Sequence, residues 1–179
     1  SIIHQWACSR SYGLGSKIPW DPKYLVESLS DSTIYMAYYT IAHLLQGENN
    51  LDGKSVGPSG IKPDQMTDEV FDYIFGGAEM PNTDIPHDKL ELARKEFKTW
   101  YPLDLRATGK DLISNHIVFW LYNHVAFFPM EQCPQGLKAN GWLLLNGEKM
   151  AKSTGNFVTL ADACNRYGCD AMRFALASA

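Results

Sequence analysis

Two lysines three residues apart, Lys149 and Lys152, lie in a short polar segment with hydroxyl side chains at Ser153 and Thr154. Glycines stand near both ends of this segment, which lets its backbone move. Ammonium groups, hydroxyls and exposed backbone N–H groups bind polyanions and stabilise the charge that develops on a departing pyrophosphate. The segment could therefore bind a triphosphate. Taken by itself, so short a motif is more typical of a solvated hairpin turn, which Asn146-Gly147 favours.

A candidate carboxylate follows a predicted strand. Alternation over residues 103–108 predicts the strand, and Gly109-Lys110-Asp111 then turns the chain into a helix expected from about Leu112 to Phe127. In doubly wound α/β folds, nucleotides bind at the carboxyl edge of the sheet. Asp111 is therefore predicted to accept hydrogen bonds from ribose hydroxyls, with a plain helix N-cap as the alternative.

Two further places carry candidate side chains. His116 is expected in the first turns of that helix, on the ligand side, whereas His124 lies two turns further on and is expected to be remote. Near the start of the chain, an apolar stretch runs into Arg10, Tyr12 and two glycines. This pattern predicts a strand that ends in a loop. An ordinary glycine-rich turn is the favoured interpretation of that loop, and a binding loop whose backbone passes close to a ligand is the alternative.

The elements between these patches must position them. Asp21-Pro22 predicts a helix start, because a capping side chain precedes proline at the first helical position. An apolar stripe over 34–45 predicts a helix that packs on a core and ends at Gly47. Residues 47–63 are turn-rich and predict an exposed linker. The other predicted elements are helices over 67–75 and 90–100, a buried strand over 137–145, a helix over 159–167 and a helix from about Asp170.

The composition indicates a folded domain without a strong electrostatic signature. The chain has 179 residues, 45% of them apolar, which allows a sizeable core in one or two domains. A formal net charge of −4 gives no overall attraction for nucleic acid, so any contact with RNA must be local. No run reaches the ~18 apolar residues of a membrane span, and a cytosolic setting is expected by default. Both ends of the chain are expected to be cut.

The four cysteines show no C-x-x-C spacing. Cys164 and Cys169 are five residues apart, a spacing that does not align them on one helical face. All four, including Cys8 and Cys133, are interpreted as reduced packing residues. No metal site is predicted in this chain.

Three segments resemble one enzyme family. Residues 149–153 read Lys-Met-Ala-Lys-Ser and are similar to the KMSKS loop of the class I aminoacyl-tRNA synthetases. Residues 109–116 and 121–126 resemble the ATP-ribose segment of the leucine-specific enzymes of archaea and the eukaryotic cytosol. Residues 9–13, Ser-Arg-Ser-Tyr-Gly, resemble the stretch with which the leucine, isoleucine and valine enzymes re-enter the catalytic domain after their editing insertion. Further matches lie at 60–67 and 101–106.

The resemblance implies an α/β fold that is the second half of a class I Rossmann-type nucleotide-binding catalytic domain, with a mostly helical and loop insertion. Residues 1–46 are then a catalytic-domain segment after the editing insertion, and 47–101 are a connective insertion. Residues 102–158 are the Rossmann half with the ATP-ribose segment and the KMSKS-like loop. Residues 159–179 begin the helical region that follows.

The implied activity is ATP-dependent activation of leucine to leucyl-adenylate and transfer to tRNA(Leu), in the cytoplasm. Mg²⁺ is expected to accompany ATP, and an assembly of several synthetases is a partner that the resemblance leaves open. Arg10 and Tyr12 are implied to position substrate. The implied catalytic residues are Lys149, Lys152 and Ser153, and the implied nucleotide-binding residues are Gly109, Asp111, His116, Leu144, Leu145, Met150 and Lys152.

The sequence departs from the family in two respects. Ala151 stands where the loop has serine, and we expect altered loop kinetics rather than an inactive site. The family's other ATP motif, His-Ile-Gly-His, is absent from this sequence, so we expect an incomplete part of the catalytic domain that is inactive by itself. One alternative is a non-catalytic remnant or paralogue acting as a nucleotide-binding or protein-interaction module. Another is a class I synthetase for a related branched amino acid. The main interpretation requires Asp111, Lys149 and Lys152 to converge on one cavity.

Overall fold

The computed structural model describes residues 6–47 and 53–178. The chain forms two compact units, Ser1–Ala139 and Asn140–Ala179. In the described residues the strands make three small sheets, one of three strands and two of two strands.

A three-stranded antiparallel sheet opens the first unit. β1 (Ser9–Arg10) and β2 (Lys17–Ile18) flank β3 (Asp21–Val26). The expected helix at Asp21-Pro22 is wrong, because these residues begin the central strand. Pro22 lies where the pairing of β2 with β3 shifts in register, so its missing N–H does not interrupt a regular ladder. The loop predicted after Arg10 is present, between β1 and β2.

Three short helices follow the sheet. They are α1 (Ser28–Asp31), α2 (Tyr35–Tyr39) and α3 (Ala42–Leu45). The single helix expected over 34–45 is therefore divided at Thr40, whose hydroxyl donates to the Ala37 carbonyl at 2.7 Å. Such a bond competes with the regular helical pattern. The predicted apolar stripe is confirmed, since Ala37 and Ile41 are buried.

The core of the first unit is largely built from the segment predicted to be a connective insertion. α4 (Asp68–Phe71) runs into a π-helical turn (Asp72–Gly76) that ends at Gly77, and α5 (His87–Trp100) packs beside it. Both predicted helices are confirmed, while residues 48–52 of the expected linker lie outside the described residues. The boundaries at 47 and 101 stay predictions. The buried cluster comprises Ala37, Ile41, Ile61, Val70, Tyr73, Ile74, Ile85, Leu90, Ala93, Phe97, Tyr101 and Phe128.

The first unit ends with a strand, a turn and a long helix. β4 (Arg106–Gly109) pairs with β5 (Leu137–Asn140), a 3-10 turn covers Lys110–Leu112, and α6 covers His116–Phe127. The helix expected from Leu112 thus begins four residues later. Asn115 is its N-cap, and its side-chain oxygen accepts the His116 N–H at 2.6 Å. The N-cap alternative for Asp111 is therefore wrong for this helix.

The second unit begins with a hairpin and ends with two helices. β6 (Leu144–Leu145) and β7 (Glu148–Lys149) precede a 3-10 turn (Lys152–Thr154), then α7 (Leu160–Tyr167) and α8 (Cys169–Ser178). The helix predicted over 159–167 is confirmed, with Thr159 as its N-cap and Gly168 as its C-cap. The expectation of one buried strand over 137–145 is wrong, because the segment is broken at Gly141 and its residues are largely exposed. An apolar run is compatible with a buried strand, but burial also requires neighbouring elements that cover the strand.

Candidate active site

A tight hairpin precedes the predicted polyanion-binding loop. β6 and β7 pair antiparallel with Leu144 opposite Lys149, and the turn residues Asn146 and Gly147 have φ of 56° and 79°. These positive φ angles are the ones that two-residue hairpin turns require. The hairpin turn at Asn146-Gly147 is therefore confirmed. The function of the segment that follows the hairpin stays a prediction.

Hydrogen bonds brace the loop that follows the hairpin. The Ala151 N–H donates to the Asn156 carbonyl at 3.1 Å, and the Thr154 hydroxyl donates to the Ala151 carbonyl at 3.0 Å. Asn156 Nδ2 donates to the Leu145 carbonyl at 3.1 Å, which fastens the loop to the hairpin. A braced backbone with outward ammonium and hydroxyl groups can receive a polyanion. The exposed loop side chains among the predicted residues are Lys149, Lys152 and Ser153.

Ala151, the position that departs from the family pattern, contributes to the loop through its backbone. Its φ of −148° and ψ of 133° are extended, and both its N–H and its carbonyl are hydrogen-bonded within the loop. A serine there would add a hydroxyl without removing these bonds. The prediction of altered kinetics rather than inactivity is compatible with this geometry.

Lys149 contacts an aromatic ring that precedes the hairpin. Its Nζ lies 4.4 Å from the centroid of the Trp142 ring, within the range of a cation–π interaction. The next residue, Met150, is half-buried, and its N–H donates to the Leu143 carbonyl at 3.4 Å. Trp142 was not among the residues singled out from the sequence, because a tryptophan seven residues before a lysine carries no periodic signal.

Gly109 ends β4, and Asp111 lies in the turn that follows it, as predicted. Asp111 is exposed, and a Cβ on residue 109 would lie only 2.6 Å from its Oδ1. Glycine at position 109 therefore leaves room for the carboxylate in its observed orientation. The φ of Gly109 is −74°, so the requirement comes from close approach and not from left-handed backbone.

His116 is buried at the start of α6 and both of its ring nitrogens are bonded. Nδ1 donates to the Leu29 carbonyl at 2.8 Å, and Nε2 accepts from Arg106 Nη2 at 3.0 Å. A carbonyl can only accept, so the proton lies on Nδ1. The Arg106 guanidinium also lies over the rings of Trp120 and Tyr35, at 5.5 and 5.9 Å. In this state His116 has no free ring nitrogen, so its contribution to nucleotide positioning would act through these neighbours.

Arg10 and Tyr12 line one cavity of about 500 Å³ in the first unit. Tyr12 is exposed, whereas Arg10 is half-buried and forms an ion pair with Glu27. Arg10 Nη2 also donates to Ser28 Oγ at 3.1 Å. The structure therefore brings together the two residues expected to position substrate. Glu27 was missed because its partner is 17 residues away and glutamate is not a typical N-cap signal.

His124, which was expected to be remote from a nucleotide, is fully buried in the core, where both of its ring nitrogens are bonded to protein groups. Its Nδ1 donates to the Trp120 carbonyl at 2.8 Å, and its Nε2 accepts from the Tyr101 hydroxyl at 3.2 Å. Burial lowers the pKa of His124 and raises the pKa of Tyr101. Both groups are therefore held neutral in the folded chain.

The cysteines are free thiols, as expected. The expectation that all four are packing residues is wrong for Cys8 and Cys169, whose side chains are exposed. Cys164 and Cys169 lie on different helices, on either side of Gly168, and the neighbouring Cys169 side chain raises the pKa of Cys164. Over residues 6–47 and 53–178, no group of three or more His, Cys, Asp or Glu side chains is arranged to hold a metal ion. None of the helices in these residues is long and apolar enough to cross a membrane.

The predicted residues thus fall into local groups. Arg10 and Tyr12 share one cavity, Gly109 and Asp111 share one turn, and both pairs belong to the first unit. The second unit carries Leu144, Leu145, Lys149, Met150, Lys152 and Ser153 on one hairpin and loop. The convergence of Asp111 with Lys149 and Lys152 stays a prediction.

Comparisons with known proteins identify the family. Residues 82–179 match the family described as tRNA synthetases class I (M). The chain is 58% identical to the cytoplasmic leucine–tRNA ligase of Neurospora crassa and 55% identical to that of Saccharomyces cerevisiae, in each case over 99% of its own length. It is 47% identical over 97% of its length to the leucine–tRNA ligase of Aeropyrum pernix. The chain spans 16%, 16% and 18% of the lengths of these three relatives. Since the family match covers more than half of it, this chain belongs to the class I tRNA synthetases.

Proposed function

We propose that this chain is part of the catalytic domain of a leucine–tRNA ligase. The observation that carries the proposal is the braced loop with outward Lys149, Lys152 and Ser153, in a chain more than half identical to fungal enzymes of that name. The names of these relatives support a cytoplasmic location for the protein. The finer fold assignment, the second half of a Rossmann-type nucleotide-binding domain with a KMSKS loop, belongs to the same proposal.

The first reaction joins leucine to the nucleotide. A carboxylate oxygen of leucine attacks the α-phosphorus of ATP, the bond from that phosphorus to the bridging oxygen breaks, and pyrophosphate leaves with the bonding electrons. The protein's task is to align two anions and stabilise the charge that passes to the leaving group. Lys149 and Lys152 supply positive charge for this purpose, and the Ser153 hydroxyl supplies a hydrogen-bond donor.

The remaining predicted residues orient the two substrates. The Asp111 carboxylate accepts hydrogen bonds from the ribose hydroxyls, and Gly109 allows the chain to approach the sugar. His116 supports this segment from within the fold. The hairpin backbone at Leu144 and Leu145 and the adjoining Met150 face the adenosine part. Arg10 and Tyr12 contact substrate in their shared cavity.

In the second reaction a ribose hydroxyl at the end of tRNA(Leu) attacks the activated carbonyl, the ester forms and AMP leaves. Mg²⁺ would arrive with ATP as part of the substrate, since the described residues offer no cluster to hold a resident ion. Association with other synthetases stays a prediction.

Amino-acid-dependent exchange of pyrophosphate into ATP tests the proposal on the full-length protein that contains this chain. Leucine should support exchange far better than isoleucine or valine, because only the matching side chain fills the pocket. Preference for isoleucine or valine would assign the chain to another branched-chain synthetase. Nucleotide binding without exchange for any amino acid would favour the non-catalytic module.

A further inference from the structure

A four-residue helix connects the Arg10 cavity to the segment that carries Asp111. Glu27, the residue before α1, is buried, and both of its carboxylate oxygens are bonded. Oε1 pairs with Arg10, while Oε2 accepts the N–H groups of Leu29 and Ser30 at 2.8 and 3.2 Å. The same carboxylate therefore orients the guanidinium and satisfies the start of the helix.

The second end of the connection is His116. The Leu29 N–H donates to the Glu27 carboxylate, and the Leu29 carbonyl accepts from His116 Nδ1. The backbone of Leu29 therefore connects the two side chains. His116 Nε2 accepts from Arg106, and Arg106 begins β4, which ends at Gly109. The contacts form an unbroken path from Arg10 to the turn that presents Asp111.

We propose that Glu27 is a positioning residue that couples substrate binding at Arg10 to nucleotide binding at Asp111, through α1 and His116. This inference rests on the proposed function, because it assigns Arg10 to substrate and Asp111 to the ribose. A ligand that draws the Arg10 guanidinium away from Glu27 changes the cap of α1. The position of the Leu29 carbonyl, and with it the His116 and Arg106 pair, then changes too.

The ion pair of Glu27 and Arg10 makes this hydrogen-bonded path responsive to an anionic ligand. Glu27 is buried while the Arg10 side chain is about one-third exposed, so a ligand can reach the guanidinium but not the carboxylate. An anionic group entering the cavity competes with Glu27 for Arg10. A buried carboxylate that loses its cation must be stabilised by the α1 N–H groups alone, so the two binding events depend on each other.

The test measures coupling in the full-length protein. The affinity of an ATP analogue with a methylene group between the α- and β-phosphorus atoms is determined with and without saturating leucine. In the parent protein, leucine should change that affinity by a measurable factor. Glu27→Gln should bring this factor close to one and weaken analogue binding by about tenfold, the loss expected for a hydrogen bond to a charged group.

Asp31→Asn is the matched control. Asp31 lies on the same helix, is exposed and accepts a hydrogen bond from Ser16 Oγ at 3.0 Å, outside the proposed path. It should retain the parent's coupling factor within about twofold. Glu27→Asp keeps a capping carboxylate but shortens its reach to Arg10, so it should lose coupling while its thermal unfolding midpoint stays near that of the parent.

The outcomes separate this inference from the proposed function. Parent-like coupling in both Glu27→Asp and Glu27→Gln would overturn the inference while leaving the function intact. Coupling that falls equally in Asp31→Asn would also overturn it, because a general loss of α1 stability would then explain the effect. If Asp111→Ala binds the analogue as tightly as the parent protein, it is the proposed ribose role that fails.

Discussion

Lys149 holds its ammonium group 4.4 Å from the centre of the Trp142 ring, in the loop whose proposed role is to bind phosphates. Both residues lie in the second unit, Trp142 just before β6 and Lys149 at the end of β7. An exposed interaction of this kind contributes about 0.5–1 kcal/mol. The ring therefore stabilises this position of Lys149. If Lys149 binds phosphate as proposed, it would exchange the contact with Trp142 for ATP.

Replacing the ring should favour nucleotide binding. In the full-length protein, Trp142→Leu should lower the KM for ATP by about two- to fivefold, the factor that corresponds to the lost cation–π contact. Leucine-dependent pyrophosphate exchange measures this KM. In a Lys149→Ala background the same substitution should have no effect, because the ring then has no cation to hold. A rise in KM would instead mean that Trp142 places Lys149 for catalysis.

Lys152 is proposed to stabilise the charge on the leaving pyrophosphate. Because such a group acts in the transition state, Lys152→Ala should lower the exchange rate by about 10²- to 10³-fold. The loop backbone is held by Ala151, Thr154 and Asn156, so the variant should retain the loop. Lys138→Ala, at an exposed lysine of β5, is the control for loss of one positive charge. A Lys152→Ala rate within tenfold of the parent's would contradict the assignment.

The Asp111 carboxylate is proposed to bind the ribose hydroxyls. Asp111→Ala should weaken ATP binding by about tenfold or more, since hydrogen bonds to a charged group are lost, while leucine affinity changes little. Gly109→Ala should reproduce part of this effect, because its Cβ would displace the Asp111 Oδ1. Equilibrium titration with each ligand separately measures both affinities. Equal losses for ATP and leucine would indicate a folding defect instead.

The local features of this fold were predictable from local sequence. Periodicity over 90–100 predicts α5, and Asn146-Gly147 predicts the hairpin turn, because each signal depends on residues close together in the chain. The strand at Asp21-Pro22 could not be predicted in this way. Its capping pattern is that of a helix, and pairing with β1 and β2, in which Ser9 faces Val26 and Ile18 faces Asp21, makes it a strand.

The same reasoning explains which parts of the candidate site were missed. Lys149, Lys152 and Asp111 belong to contiguous motifs, so residue type and spacing indicated them. Glu27 pairs with Arg10 of β1, 17 positions away. Arg106 donates to His116, 10 positions away, whose other ring nitrogen contacts Leu29 of α1. Contacts of this kind have no period in the sequence, and they depend on tertiary structure.

The buried pair of His124 and Tyr101 predicts how stability responds to pH. The pKa of His124 is lowered from its ordinary value of 6.5 because burial disfavours the charged form of the imidazole. In the neutral ring, Nε2 accepts a hydrogen bond from the Tyr101 hydroxyl. Below pH 6.5 the unfolded chain binds a proton that the folded chain excludes. Stability is therefore fully present above the unfolded pKa and falls as the pH drops below it, by up to about 1.4 kcal/mol per pH unit.

The pKa of Tyr101 is raised by burial, so the opposite sign holds at the alkaline end. The unfolded chain loses the phenolic proton near pH 10 while the folded chain keeps it, and stability falls as the pH rises above that value.

Urea unfolding of the chain across this pH range measures both effects. His124→Gln, whose amide oxygen can still accept from Tyr101, should flatten the acidic limb, and Tyr101→Phe should flatten the alkaline limb. His43→Gln, at an exposed histidine, is the control and should leave the acidic limb as in the parent. If the acidic limb of His124→Gln matches that of the parent, other groups govern the loss of stability at low pH. This follows because the variant has no imidazole at position 124 to take up a proton.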